Sequence, residues 1–340
     1  IRTWILTGDK KGTAINIGFA CNLLTPGISM SERENFSIAT HFLSERWKQH
    51  KKMSRIAYAN GRYIRQAEAT VNIEDRGYQF ADGVYEVIAV ANGRLVESEQ
   101  HFDRLQRSLE GLQMEPPCDR RILVLIMAQV LRRNHINQGF VYLQITRGVA
   151  PRNHAFPVRD TVSSIVVTAS RKNLPTAADI AAGVKIVTVP ETRWSRPDIK
   201  TVSLLPNVLA KQDAVARGAY EAWFVDKAGL ITEGSSTNAW IVVDGKEIVT
   251  RPLSQEILAG ITRQTLISIA RESNLIVTER PFSIEEALAA KEAFLTSTTS
   301  FVMPVVTIDD TPIGTGKPGD VSLQLFDAYR RYLDQATDGR

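Results

Sequence analysis

Three Asn-Gly or Asp-Gly pairs, at 60–61, 92–93 and 244–245, each stand between runs that read as β-strands. Such pairs accept the positive φ angles of tight hairpins, so each predicts two antiparallel neighbours. Helical periodicity interrupts the strands irregularly: HFDRLQRSLEGL, RRILVLIMAQVLRR, LLPNVLAKQDAVARG closed by Gly218, and ITRQTLISIARESN starting straight after Gly260. The strand patterns are FVYLQITRG, VSSIVVTAS, GVKIVTVP, AYEAWFVD and LITEGSSTNAWIVV, the last continuing through Asp244-Gly245 into KEIVTR. Many hairpins with irregularly placed helices predict α+β architecture with largely antiparallel sheets, and argue against a doubly wound parallel sheet. The polar, proline-bearing stretch Arg171 to Asp179 reads as a linker. The expected organisation is an extension over 1–52, a smaller α+β domain over 53–172, a linker over 173–179 and a larger domain over 180–336.

A chain of 340 residues with 44% hydrophobic and 23% charged residues can build its own core without disulfide or metal. A formal charge of +4 suits small anionic ligands better than a polyanion, and no nucleic-acid stripe is visible. Cys21 and Cys118 are too few for a disulfide framework or a zinc site, and the five histidines form no HExxH, so no metal site is expected. No apolar run is long enough for a bilayer span, and Ile1 to Ile5 lack the basic lead of a signal peptide. A cytoplasmic location is therefore the expectation.

Four features can carry chemistry, each with a bland counterpart. Gly260-Ile261-Thr262 opens a helix, where free N–H groups and the dipole bind phosphate; any helix, however, needs a start. Glu233 to Asn238 and Thr296 to Ser300 are polar interruptions of apolar strands, suited to lining a pocket or to making surface turns. Lys200 stands between Ile199 and a Thr-Val-Ser-Leu-Leu run. Most lysines are solvated, but one in a largely buried place needs a reason, and covalent bonding to a carbonyl is one.

Taken in order, EDRGYQFADGVYEV (74–87), HFDRL (101–105), TRGVAPRNHAFP (146–157), DIK (198–200), ITEGSSTN (231–238), ILAGITR (257–263) and LTSTTS (295–300) resemble the fold-type-IV, or class IV, pyridoxal-phosphate aminotransferases. The Arg-Asn-His triplet at 152–154 resembles the branch of that family acting on D-amino acids. The likeness spans Met53 to about residue 335. It implies a two-domain, homodimeric enzyme using pyridoxal 5'-phosphate. The reaction would move an amino group from a D-amino acid such as D-alanine to a 2-oxo acid such as 2-oxoglutarate, giving pyruvate and D-glutamate.

The same resemblance assigns roles. Lys200 would hold the coenzyme covalently and carry the proton between the substrate α-carbon and the coenzyme's aldehyde carbon. Glu233 would pair with the pyridine nitrogen and keep it protonated. Arg104, Ile261, Thr262 and Thr298 would hold the phosphate, and Leu258 would pack on the ring. Tyr85 would point its hydroxyl into the substrate pocket, with Ser235, Ser236 and Thr237 lining it. Arg152 and His154 would grip the substrate α-carboxylate from the partner subunit, an extended loop putting both on one side. Branched-chain L-amino acid aminotransferases, aminodeoxychorismate lyases and (R)-selective amine transaminases are the alternatives within the fold.

Two positions depart from the family pattern. Trp240 stands where Phe or Tyr is usual, which predicts a packing adjustment; Phe301 stands where Glu is common, altering either the far side of the substrate site or the packing behind it. Separately, residues 5–24 (ILTGDKKGTAINIGFACNLL) resemble the TGDK segment of P-type ATPases, nearest the phospholipid flippases. The pump's DKTG motif and membrane helices are missing, so 1–52 is expected to be a non-functional extension rather than a nucleotide-binding fragment.

Overall fold

The structure, a computed structural model, describes residues 55–157 and 161–338. The extension over 1–52 and its pump-like segment lie outside them. Residues 56–63 and 70–340 group into one compact unit, which holds everything that follows apart from residues 64 and 65.

Its first half builds a sheet in the order β2-β1-β6-β5-β3-β4. The strands are β1 (Ile56–Ala59), β2 (Arg62–Arg65), β3 (Gly83–Ala91), β4 (Arg94–Leu95), β5 (Gly139–Thr146) and β6 (Ser164–Arg171). Asn60 and Gly61 (φ 46° and 87°), like Asn92 and Gly93 (50° and 74°), carry two successive positive φ angles, which the hairpin turns at these pairs require. Helix α1 (Arg76–Phe80) precedes β3, while α2 (Ser98–Gly111) and α3 (Arg120–Arg133) follow β4. Strand β3 shows why the helices cover one face: Val84, Ile88 and Val90 are wholly buried and share a core with Phe102, Leu105 and Leu109 of α2 and Met127 and Val130 of α3. Each such side chain stabilises the fold by about 1.5–3 kcal/mol relative to leaving it exposed.

The second half forms a sheet in the order β12-β11-β10-β13-β14-β7-β8-β9, with β15 beside β14. Its members are β7 (Val184–Pro190), β8 (Glu221–Val225), β9 (Ile231–Gly234), β10 (Asn238–Val242), β11 (Glu247–Thr250), β12 (Ile276–Glu279), β13 (Glu292–Ser297), β14 (Phe301–Ile308) and β15 (Thr311–Pro312). Helices α4 (Ala177–Ala182), α5 (Leu205–Ala216), α6 (Ile261–Glu272), α7 (Ile284–Ala289) and α8 (Asp320–Asp338) complete the chain. The fold is α+β as expected, but β7 pairs in parallel with both β8 and β14, and β11 with β12. Parallel neighbours need a crossover, and α5 and α6 supply two of them.

Three local expectations change. The stretch 231–242 is two strands, because Ser235–Thr237 make a turn between β9 and β10. The end of the expected linker is the start of α4, held by a capping box between Thr176 and Asp179. Phe301 has φ 56° and is buried against Tyr329, ring centroids 5.4 Å apart, so its side chain serves packing. Trp240 is likewise buried, stacked on Phe294 at 5.4 Å, with its indole N–H donating to Thr296 Oγ1 at 2.9 Å.

Candidate active site

Lys200 is placed by backbone. Residues just after it run beside the start of β3: Tyr85 N donates to Lys200 O at 3.0 Å, Val202 N donates to Gly83 O at 3.1 Å, and Lys200 N donates to Ser108 Oγ at 3.2 Å. These bonds join a loop of the second half to strand and helix of the first. The ammonium lies 4.4 Å from the centroid of the Tyr85 ring, a cation–π contact that orients it.

A pocket opens around it. Tyr85, Arg104, Ser235, Ser236, Thr237, Leu258, Ile261, Thr262, Thr298 and Glu233 all line it together with Lys200. Arg152 and His154 do not: both are exposed, on the loop after β5. Within one chain the structure thus gathers every residue expected at the coenzyme, and leaves the two carboxylate-binding candidates elsewhere.

Glu233 lines the pocket and is buried. Its Oε1 accepts from Arg193, its Oε2 from Asn238 Nδ2 at 3.0 Å, and both oxygens from Leu258 N at 3.1 Å. Burial pushes its carboxyl up, against the opposing pull of Arg193, the Leu258 amide and Lys200. Arg193 is itself fixed by Glu191, through Nε at 2.9 Å and Nη2 at 2.6 Å.

Another part of the pocket wall suits an anion. Helix α6 begins at Ile261 with Gly260 as its cap, and no side chain caps it. A Cβ on Gly260 would stand 2.0 Å from Asn238 Oδ1, so only glycine lets the helix start approach so closely. Arg104 is presented by a second carboxylate: Nε and Nη2 donate to Glu86 Oε1 and Oε2 at 2.8 and 2.7 Å, and Nη1 to Ala259 O at 3.0 Å. Burial opposes the charge on Glu86, but Arg104 and the neighbouring His101 outweigh it and bring its carboxyl down to about 2. Thr237 Oγ1, on the pocket wall, is buried without a hydrogen-bond partner.

Glu86 and Arg193 were not anticipated from sequence, and Asn238 was anticipated only as the end of a polar segment suited to lining a pocket. Glu86 had a signal: it falls on the buried face of β3 with Val84 and Ile88, and a carboxylate in an apolar phase requires a buried cation. HFDRL supplies His101 and Arg104 one helical turn apart. Arg193 had none, since an arginine in TRWSRPDIK looks like any loop arginine.

An uncapped helix start, an oriented arginine, an amine, an apolar wall at Leu258 and a buried carboxylate, all lining one pocket, suit the phosphate, aldehyde, ring and ring nitrogen of pyridoxal phosphate. Comparison with known proteins agrees. The model of the family "Amino-transferase class IV" matches residues 83–308. A D-alanine aminotransferase of Staphylococcus haemolyticus is 39% identical over 277 residues, 82% of this chain and 97% of that protein. One from Listeria monocytogenes is 36% identical, covering 82% and 96%. Among solved structures, the branched-chain amino acid aminotransferase of Escherichia coli superposes with a TM-score of 0.77 over 84% of this chain and 97% of that one, and at 22% identity shows the shared fold. The branched-chain amino acid aminotransferase of Thermoproteus uzoniensis, solved with norvaline, gives a TM-score of 0.74 at 27% identity, covering 83% and 96%. Fold, pocket and sequence therefore converge on one conclusion: this chain belongs to the class IV aminotransferases, and its coenzyme is pyridoxal phosphate.

Proposed function

We propose that the chain transfers amino groups between D-amino acids and 2-oxo acids, with D-alanine and 2-oxoglutarate giving pyruvate and D-glutamate. The observation that carries this reading is that relatives sharing 39% and 36% identity over nearly their whole length are D-alanine aminotransferases. The Arg152-Asn153-His154 triplet supports it. A branched-chain L-amino acid activity is the second reading, favoured by solved neighbours such as the Thermoproteus uzoniensis enzyme. Lyase action on aminodeoxychorismate and amine transamination remain alternatives of the same fold.

The coenzyme, when bound, supplies an electrophilic aldehyde carbon and a ring that takes up electron density from the substrate α-carbon. In this proposal Lys200 Nζ would take the proton from the substrate α-carbon and carry it toward the coenzyme's aldehyde carbon, and the contact with Tyr85 would orient the amine. Glu233, with Arg193, Asn238 and the Leu258 amide holding its oxygens, keeps the ring nitrogen protonated. Ile261 and Thr262 N–H groups, Arg104 and Thr298 bind the phosphate, and Leu258 packs on the ring. Ser235, Ser236 and Thr237 line the pocket with Tyr85; in this reading they would shape the substrate side, with the Tyr85 hydroxyl turned toward it.

Arg152 and His154 complete the site from a second copy, so the proposed enzyme is a cytoplasmic homodimer whose subunits share two pockets. The bond broken at the α-carbon faces Lys200, and the carboxylate anchor decides which enantiomer presents its hydrogen there. D-Alanine, D-glutamate or D-aspartate should serve as donors and their L-enantiomers poorly. Turnover measured for each enantiomer decides between the readings: a clear preference for L-leucine or L-valine would overturn the D-specific one. Arg152→Ala should raise KM for the donor by about tenfold or more while coenzyme binding holds, because the lost contact is to substrate.

The two sheets belong, in this reading, to the two domains over 53–172 and 180–336. We propose as well that residues 1–52 take no part in the chemistry, since the matched family span begins at residue 83. A chain starting at Met53 should keep its turnover; loss of most activity in a folded, coenzyme-loaded truncate would show a role for the extension.

A further inference from the structure

The loop that carries Arg152 and His154 is wrapped around a single buried guanidinium. Arg76, 3% exposed, donates from Nη1 to Asn153 O at 2.6 Å and Ala155 O at 3.3 Å, and from Nη2 to His154 O at 3.4 Å. Three successive carbonyls turned toward one group do not belong to an extended segment, so the loop is curled rather than extended. Its side chains still share a side: the guanidinium carbon of Arg152 lies 4.7 Å from the centroid of Phe80, and the His154 ring 5.4 Å from the same centroid.

The base beneath is firm. Asp75 caps α1 by accepting from Gly77 N at 2.8 Å and takes the Thr146 hydroxyl at 3.1 Å. A Cβ on Gly77 would stand 2.2 Å from Thr146 Cγ2, so glycine is what lets α1 lie against the end of β5. Asp82 bridges both arginines there, accepting from Arg76 Nε at 2.8 Å and from Arg147 Nε and Nη2 at 2.7 and 3.0 Å. Arg76 N donates to Gly148 O at 2.9 Å, and Ala150 N to Glu74 O at 3.3 Å. At the far end of the loop, the ring of Phe156 lies 3.8 Å from the Arg147 guanidinium carbon.

We infer that Arg76, with Phe80 as its platform, is a positioning residue that pre-forms the carboxylate grip of Arg152 and His154; this rests on the reading of those two residues as the substrate anchor. The physical argument is pre-organisation. An exposed arginine on a free loop must surrender backbone and rotamer freedom each time it grips a carboxylate. Here the backbone is already held by a planar fork that satisfies three carbonyls and a carboxylate at once. Lysine, a point charge on a flexible stem, cannot do this. Arg76 never touches substrate in this scheme; it acts through the loop.

The test is steady-state kinetics on the coenzyme-loaded enzyme with D-alanine, comparing Arg76→Met, Phe80→Leu and Arg152→Ala. Arg76→Met and Phe80→Leu should each raise KM about tenfold, with kcat within about threefold of the parent and an unchanged coenzyme absorbance band. Combined with Arg152→Ala, Arg76→Met should add little, because the residue it positions is gone. If Arg152→Ala raises KM and neither Arg76→Met nor Phe80→Leu does, the anchor stands and the clamp is overturned. If Arg152→Ala leaves KM unchanged, the anchor reading falls and the clamp with it. Loss of kcat and coenzyme at constant KM, or full additivity in the double variant, would mark Arg76 as merely structural and overturn the inference. Should Arg76→Met fail to fold, Phe80→Leu decides, since it removes the platform and leaves the guanidinium bonds in place.

Discussion

Replacing Lys200 with alanine is expected to abolish transamination while the fold persists. The loss has two parts. Among the described residues no other amine lines the pocket, so covalent attachment of the coenzyme goes; and the group that would move the α-proton goes with it, a contribution on the order of 10²–10⁴-fold by itself. The fold should survive because Lys200 is anchored through its backbone: the bonds from Tyr85 N and to Ser108 Oγ use main-chain atoms that alanine keeps. Borohydride reduction of the parent enzyme followed by peptide mapping checks the assignment directly. Coenzyme found on any other lysine would remove Lys200 from the mechanism.

Glu233→Gln should retain coenzyme but slow proton abstraction on the order of 10²-fold, because a neutral amide no longer favours a protonated ring nitrogen. The pocket geometry adds to the effect. Both carboxylate oxygens now accept hydrogen bonds, from Arg193, Asn238 Nδ2 and the Leu258 amide. Glutamine offers one oxygen and one NH2 group, so a donor must face donors. Arg193 still keeps Glu191 as a partner, which limits the damage to the fold. Single-turnover rates with D-alanine are the measurement, and rates equal to those of the parent would refute the role. Slower turnover with an unloaded coenzyme site would instead point to a failure of binding.

Local pattern carried a long way here. Strand periodicity in β3 and β5, the positive-φ hairpins at 60–61 and 92–93, and the uncapped helix start after Gly260 depend on residues close in sequence, and each was legible. The ordered motifs were legible too, because residues that face one pocket come from short segments each with its own turn or cap. The parallel pairing of β7 with β8 was less so, although a helix pattern between two strand patterns is what a crossover needs.

Sequence alone indicated the hairpin turns, many of the strands, the helices α2, α3, α5 and α6, and which short segments carry reactive groups, because dihedral preference and apolar periodicity act over a few residues. Tertiary structure alone decided which charges meet. Arg193 reads as a solvated loop arginine until β9 brings Glu233 to it, 40 residues away in sequence. Arg76 reads as one arginine of EDRGYQF until it gathers carbonyls 77, 78 and 79 residues further on. A buried ion must find its partner through space, and the cost of leaving it unpaired, rather than any local preference, selects the fold in which those distant residues converge.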